Sequence, residues 1–111
     1  MEIWGTGKPL REFLHVDDLA DAAIFVLKSY EDFDHINIGS GTDLPIADVA
    51  RMVMDVVGLD GDLRHDLAKP DGTPRKLMSA AKLRAMGWEP QISLHDGLRQ
   101  TYQWFVENVA S

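Results

Sequence analysis

Residues 4–18 read WGTGKPLREFLHVDD, and the order of residue types in them sets a turn, an extended run and a helix start in quick succession. Gly5, Gly7 and Pro9 surround Lys8, so the backbone turns sharply there, with positive φ open at both glycines. Glu12-Phe13-Leu14-His15-Val16 has aromatic and β-branched character and predicts a short strand. Asp17 or Asp18 then caps a helix. From Leu19 the apolar positions 19, 22, 23, 26, 27 and 30 keep a 3.6-residue period, which predicts a helix over 17–30. The aspartates at 17, 18 and 21 complement the positive end of its dipole. Trp4 and Arg11 flank the opening turn. An indole and a planar guanidinium held by one short loop suit a flat anionic ligand, the ring stacking and the fork taking phosphate.

The chain has 111 residues, 45% of them apolar, enough for one domain with one modest core and too few for a large multidomain enzyme. Lys and Arg number 11 against 18 Asp and Glu, for a net charge of −7, and no basic run exceeds the Arg75-Lys76 pair. Such a field does not favour nucleic acid. There is no cysteine, hence no disulfide framework, thiol nucleophile or thiolate-bound metal. The longest apolar run, Ala22 to Leu27, is too short to span a bilayer, and the N-terminus lacks a signal pattern, so no membrane partner and a cytoplasmic location are expected. Met1-Glu2-Ile3-Trp4 enters a strand with no lead-in, which predicts a piece cut from a longer protein.

Beyond the first helix, His35-Ile36-Asn37-Ile38-Gly39 predicts a brief strand closed by Gly39-Ser40-Gly41. Leu44-Pro45-Ile46 leads into a second helix with apolar positions 46, 49, 50, 53, 56 and 57 on one face and Gly58 as its C′ residue. Gly61 to Asp66 predicts an edge strand. Lys69 to Lys76, KPDGTPRK, places two prolines around Asp-Gly and reads as an ordered loop, with extended Leu77-Met78 after it. Ser79 caps a short helix through Met86 that Gly87 stops, and Trp88-Glu89-Pro90 turns the chain. Ser93 opens the last helix, with Asp96 three residues on and a stripe of Leu94, Leu98, Thr101, Tyr102, Phe105 and Val109. The expected fold is a small mixed α/β domain over 1–111, with about four helices and several short strands.

Few chemistries survive inspection. Gly5-Thr6-Gly7 and Gly39-Ser40-Gly41 lack the third glycine of GxGxxG, since Leu10 and Leu44 stand there, and turn glycines are the better reading. His15, His35, His65 and His95 share no ligand spacing. Tyr30 and Tyr102 lack a lysine four residues on, where Asp34 and Val106 stand instead. Two loops remain. The first carries Trp4, Lys8 and Arg11, and the second carries Asp71, Arg75 and Lys76. Taken alone, these residues fit a plainer reading better, with Trp4 in the core and the charges solvated.

A resemblance changes that weighting. The segments WGTGKPLREFLHVDDLADA, HINIGSGTDLPI, KPDGTPRK and LRAMGWEPQISLHDGLRQTYQWFVEN, in this order and spacing, closely resemble the C-terminal part of members of the extended short-chain dehydrogenase/reductase family. REFLHVDD and GWxP are shared broadly with nucleotide-sugar epimerases and dehydratases. KPDGTPRK, WGxGxPxREF and TYQWFxEN are narrower and resemble the branch that converts GDP-4-keto-6-deoxymannose to GDP-L-fucose by NADP-dependent epimerisation and reduction. The resemblance implies a substrate-binding domain for a GDP-sugar, separated from an N-terminal Rossmann domain that holds NADP and the catalytic groups. It implies no cofactor bound by this fragment and no catalytic residue within it. Trp4 and Arg11 match family positions that contact substrate, and Lys76 matches a lysine near the diphosphate. Asp71 is a weaker candidate, for ribose or base contact or for ordering its loop, and Arg75 is a second phosphate neighbour. The same domain of another nucleotide-sugar enzyme, or a stand-alone interaction module of this fold, is the alternative.

Overall fold

The computed structural model describes residues 1–31, 34–76 and 79–110. Its helices lie close to the limits expected from the sequence, and its strands do not. Helix α1 spans Val16–Ser29 and α2 spans Ile46–Val57, with Gly58 left-handed at φ 72° as its terminator. Helix α3 covers Ala81–Ala85 and α4 Leu94–Asn108. Ser93 caps α4 by accepting the Asp96 N–H at 3.2 Å, as its sequence predicts.

Helix α1 is capped differently from expectation. His15 is the N-cap, and its Nδ1 accepts the Asp17 N–H at 3.0 Å. Asp18 is 3% exposed, so it is not a solvated complement to the dipole. The buried side of α1 runs through Asp18, Ala22, Phe25 and Val26, whereas Leu19 and Leu27 of the predicted stripe are 45% and 85% exposed. The helix is therefore turned by about one position from the apolar face, because Asp18 finds buried partners of its own.

The strands are two or three residues long. Strand β1, Glu2–Trp4, pairs in parallel with the predicted edge strand, here β4, Arg64–Asp66. A second small sheet has β2, Leu10–Arg11, at its centre, antiparallel to β3, Leu44–Pro45, and parallel to β5, Arg75–Lys76. The expected strand at 12–16 thus falls earlier, at Leu10–Arg11, and residues 12–15 are irregular. Residues 35–39 form no strand, although Ile36 and Ile38 pack on the core. Arg75–Lys76 leaves the expected loop to join β2. The N-cap position of α3 is Ala80, which makes no side-chain hydrogen bond, and Ser79 one residue earlier accepts the Ala81 N–H on its hydroxyl at 3.4 Å. The expected extended Leu77-Met78 lies outside the described residues.

The core is small. Ala22, Leu83 and Trp88 form its centre, covered by Leu14, Phe25, Val26, Ile36 and Ile38. Trp88 donates its indole N–H to Asp21 Oδ2 at 2.9 Å, which satisfies the ring's polar edge. Asp18 accepts the backbone N–H groups of Gln91 and Ile92 at 3.1 and 3.0 Å, fastening the lead-in to α4 onto α1. A radius of gyration of 16.5 Å and extents of 49 × 35 × 18 Å describe a slab, against about 13 Å for a rounded domain of this length. Helix α4 packs on α2, yet Tyr102, Trp104, Phe105 and Val109 are exposed, so the predicted stripe is half-buried only at Leu94 and Leu98.

Candidate functional site

The turn at 4–8 is built around two buried glycines in the left-handed region, Gly5 at φ 73° and Gly7 at φ 74°. A Cβ on Gly5 would lie 2.0 Å from Asp71 Oδ1, so only glycine lets the Asp71 carboxylate reach this turn. Asp71 uses both oxygens there. Thr6 donates its backbone N–H to Oδ1 at 2.8 Å and its hydroxyl to Oδ2 at 2.8 Å. The same hydroxyl accepts the Lys8 N–H at 3.2 Å. These hydrogen bonds, the Thr6 backbone bond foremost and its hydroxyl next, hold the Asp71 carboxyl below its ordinary value, with a smaller contribution from Lys8. The two loops picked out in the sequence are therefore one structure.

Strand pairing adds the cations. Leu10 donates its N–H to Pro74 O at 2.8 Å, and the parallel register sets Arg11 opposite Lys76, so both side chains leave the sheet on the same face. Arg11 is half-buried and anchors Nη1 on the Leu10 carbonyl at 2.7 Å, and a Cβ on Gly72 would stand 3.0 Å from its Nη2. Lys76 is exposed and makes no hydrogen bond or ion pair with the described residues. Arg75 points elsewhere. Its guanidinium meets Asp43 at 2.7 and 3.3 Å, and the Asp43 side chain is only 9% exposed. Arg75 thus fastens β5 to the segment before α2.

Trp4 is 65% exposed rather than in the core. Lys69 Nζ stands 5.3 Å from the centre of its ring, a cation–π contact the sequence reading did not pick out although Lys69 opens the same loop. One ring face is thus met by a cation. Arg11 and Lys76 thus come from paired strands, Asp71 is bound to the turn that follows Trp4, Trp4 itself lies on β1 of the other sheet, and Arg75 is tied into the fold.

None of these residues lines a described cavity. A hollow of about 360 Å³ lies among Phe13, Leu14, Leu44, Ile92 and Leu94, and another of about 470 Å³ among His15, Val16, Thr101 and Trp104. Both also have polar walls, Ser40, Thr42, Gln91 and Ser93 in the first and Asp17 and Gln100 in the second. Arg11 and Lys76 instead share one face of the three-stranded sheet, and Trp4 is exposed on β1 of the other. Nor do the glycine turns fit a dinucleotide: Gly5-Thr6-Gly7 leads into β2, not into a helix whose N-terminus could meet a diphosphate. Among the described residues no group of three His, Asp or Glu side chains is placed to hold a metal ion, and no helix is long and apolar enough to cross a membrane.

Comparison with known proteins gives this surface its context. Residues 1–39 match the NAD dependent epimerase/dehydratase family. GDP-L-fucose synthase 1 of Arabidopsis thaliana is 57% identical over 109 residues, 98% of this chain and 34% of that protein. GDP-L-fucose synthase of Escherichia coli strain K12 is 46% identical over 115 aligned positions, 96% of this chain and 36% of that protein. The chain resembles GDP-L-fucose synthases over nearly its whole length. It spans about a third of the length of the curated relatives it matches.

The solved structures agree. A GDP-L-fucose synthetase from Naegleria fowleri bound to NADP superposes with a TM-score of 0.91 at 28% identity, covering 99% of this chain and 35% of that one. A GDP-mannoheptose C4 reductase from Campylobacter jejuni with NADP bound gives 0.82 at 43% identity, covering 95% and 34%. The fold is thus a small mixed α/β unit like the matching third of these larger GDP-sugar enzymes.

Proposed function

We propose that this chain is the GDP-sugar-binding portion of a GDP-L-fucose synthase, the NADP-dependent 3,5-epimerase and 4-reductase of GDP-4-keto-6-deoxymannose, with NADP and the catalytic groups supplied by a Rossmann domain elsewhere in the enzyme. Residues 1–111 act as one binding domain and do not turn over substrate alone. The observation that carries this reading is the register of β2 and β5, which sets Arg11 and Lys76 side by side on one face. Two adjacent cations at a sheet edge suit a diphosphate. Trp4 offers an exposed indole to a guanine or ribose face, with Lys69 adding positive charge beside it. Asp71 orders the loop, and Arg75 contributes through Asp43 rather than through the phosphate. The open surface supports a site completed by a second wall, because half a cleft leaves the ligand wet.

The nucleotide is better supported than the sugar. The heptose reductase from Campylobacter jejuni acts on a GDP-sugar and is 43% identical, so a different GDP-hexose or GDP-heptose is the second reading. Amide-shift titration of the chain with GDP, UDP and dTDP tests both. GDP is expected to move resonances of residues 4–11 and 71–76 in preference to the other two. Arg11→Ala and Lys76→Ala are each expected to weaken binding about tenfold. Shifts confined to other residues, or unaffected by both substitutions, refute the site.

A further inference from the structure

We propose, resting on the GDP-sugar reading of Arg11 and Lys76, that Thr6 is a positioning residue for that site, acting through Asp71 to hold the Lys76 loop against the strand that carries Arg11. Thr6 is the only residue of its turn with a side-chain hydroxyl, and it meets Asp71 through both its amide and that hydroxyl across 65 positions of sequence. The Asp71 carboxylate lies where a Cβ on Gly5 would be, so the turn is shaped to receive it. One residue on, Gly72 passes close enough to Arg11 that an added Cβ would stand 3.0 Å from Nη2. Four residues further, Lys76 stands opposite Arg11 in the sheet. Segment 71–76 is thus pinned at one end by Thr6 and at the other by the Leu10 bond to Pro74 and the β2–β5 register.

Loss of the first pin leaves the strand pairing but frees the approach of the loop to the Arg11 guanidinium. Nothing in this arrangement requires Thr6 to touch the ligand. Its hydroxyl has its proton on Asp71 and accepts from Lys8, and its role is the distance it imposes between two other side chains.

The experiment is a GDP titration of the full chain followed by amide shifts, with Thr6→Val and Thr6→Ser beside the unsubstituted protein. Thr6→Val keeps shape and β-branching and is expected to raise the Kd for GDP about threefold or more. Thr6→Ser keeps the hydroxyl and is expected to bind like the parent. In an Asp71→Ala background, Thr6→Val is expected to weaken binding no further. Unchanged affinity in Thr6→Val, equal losses in the valine and serine variants, or an additive loss on Asp71→Ala each overturns the positioning role while leaving the site standing. Absence of GDP-induced shifts in the unsubstituted chain overturns the site, and the positioning role with it.

Discussion

Replacing Asp18 by Asn should unfold this chain at a markedly lower temperature, whereas the same change at its neighbour Asp17 should barely register. Asp18 is buried and gives one carboxylate oxygen to each of two backbone N–H groups, those of Gln91 and Ile92. An asparagine supplies one oxygen and turns an NH2 group toward the second N–H, so one bond is lost and two donors face each other. A hydrogen bond to a charged acceptor and the orphaned amide together set the cost at about 2–3 kcal/mol. With an unfolding entropy of roughly 2.1 cal/mol/K per residue, that lowers Tm by about 10 °C. Asp17 is exposed at the first turn and acts mainly on the helix dipole, an effect of about 0.3–1 kcal/mol, or a few degrees at most. Thermal unfolding followed by far-ultraviolet circular dichroism measures both. Equal shifts for the two variants, or an Asp18→Asn Tm within about 3 °C of the parent, would show that Asp18 is only another dipole charge.

Leu83 is fully buried between Ala22 and Trp88, and Leu83→Ala is expected to cost about 2–5 kcal/mol in denaturant unfolding, because so thin a core has few neighbours to fill the gap. Asp71 titrates below its ordinary value through its Thr6 hydrogen bonds. A depressed carboxyl pKa contributes stability that is present above the usual carboxylate range and fades as pH falls through the folded value. The 71–76 loop should therefore loosen from the Thr6 turn on acidification, and Thr6→Val should raise the Asp71 pKa. Carboxyl shifts followed by NMR against pH check the direction, and an unmoved Asp71 titration in the variant contradicts it.

The helices were legible because their signal repeats. Residues 46–57 keep their apolar period through a whole face and end at Gly58, and the structure has α2 between the same limits. Two-residue strands have no period to read. Glu12–Val16 has the stronger β character, yet Leu10–Arg11 pairs because Pro9, Pro74 and Pro45 deliver three chain segments to the same place. In sequence Asp18 and Asp21 look like dipole charges, since nothing local announces partners at Trp88 and Gln91, about 70 positions away. The same limit hid Asp43 from Arg75. At the site, residue types and spacing marked the two loops, and the Thr6–Asp71 bonds that unite them are non-local. The exposed end of α4 has a different origin: Tyr102, Phe105 and Val109 do keep an apolar period, but the described residues leave them 38%, 45% and 58% exposed.

The pairing of Arg11 with Lys76 has a cost when no anion is present. Like charges opposite one another on neighbouring strands repel, and Lys76 has no carboxylate among the described residues to relieve the repulsion. Strand β5 is therefore held to β2 against an opposing force, screened by salt over about 8 Å at physiological ionic strength. On the proposed reading, an anion seated between the two cations would turn that repulsion into attraction, and the β2–β5 pairing should hold more firmly when occupied than when empty. The small sheet would then work as a load-sensitive clasp, its amide protection rising with phosphate-bearing ligands and, more weakly, with salt.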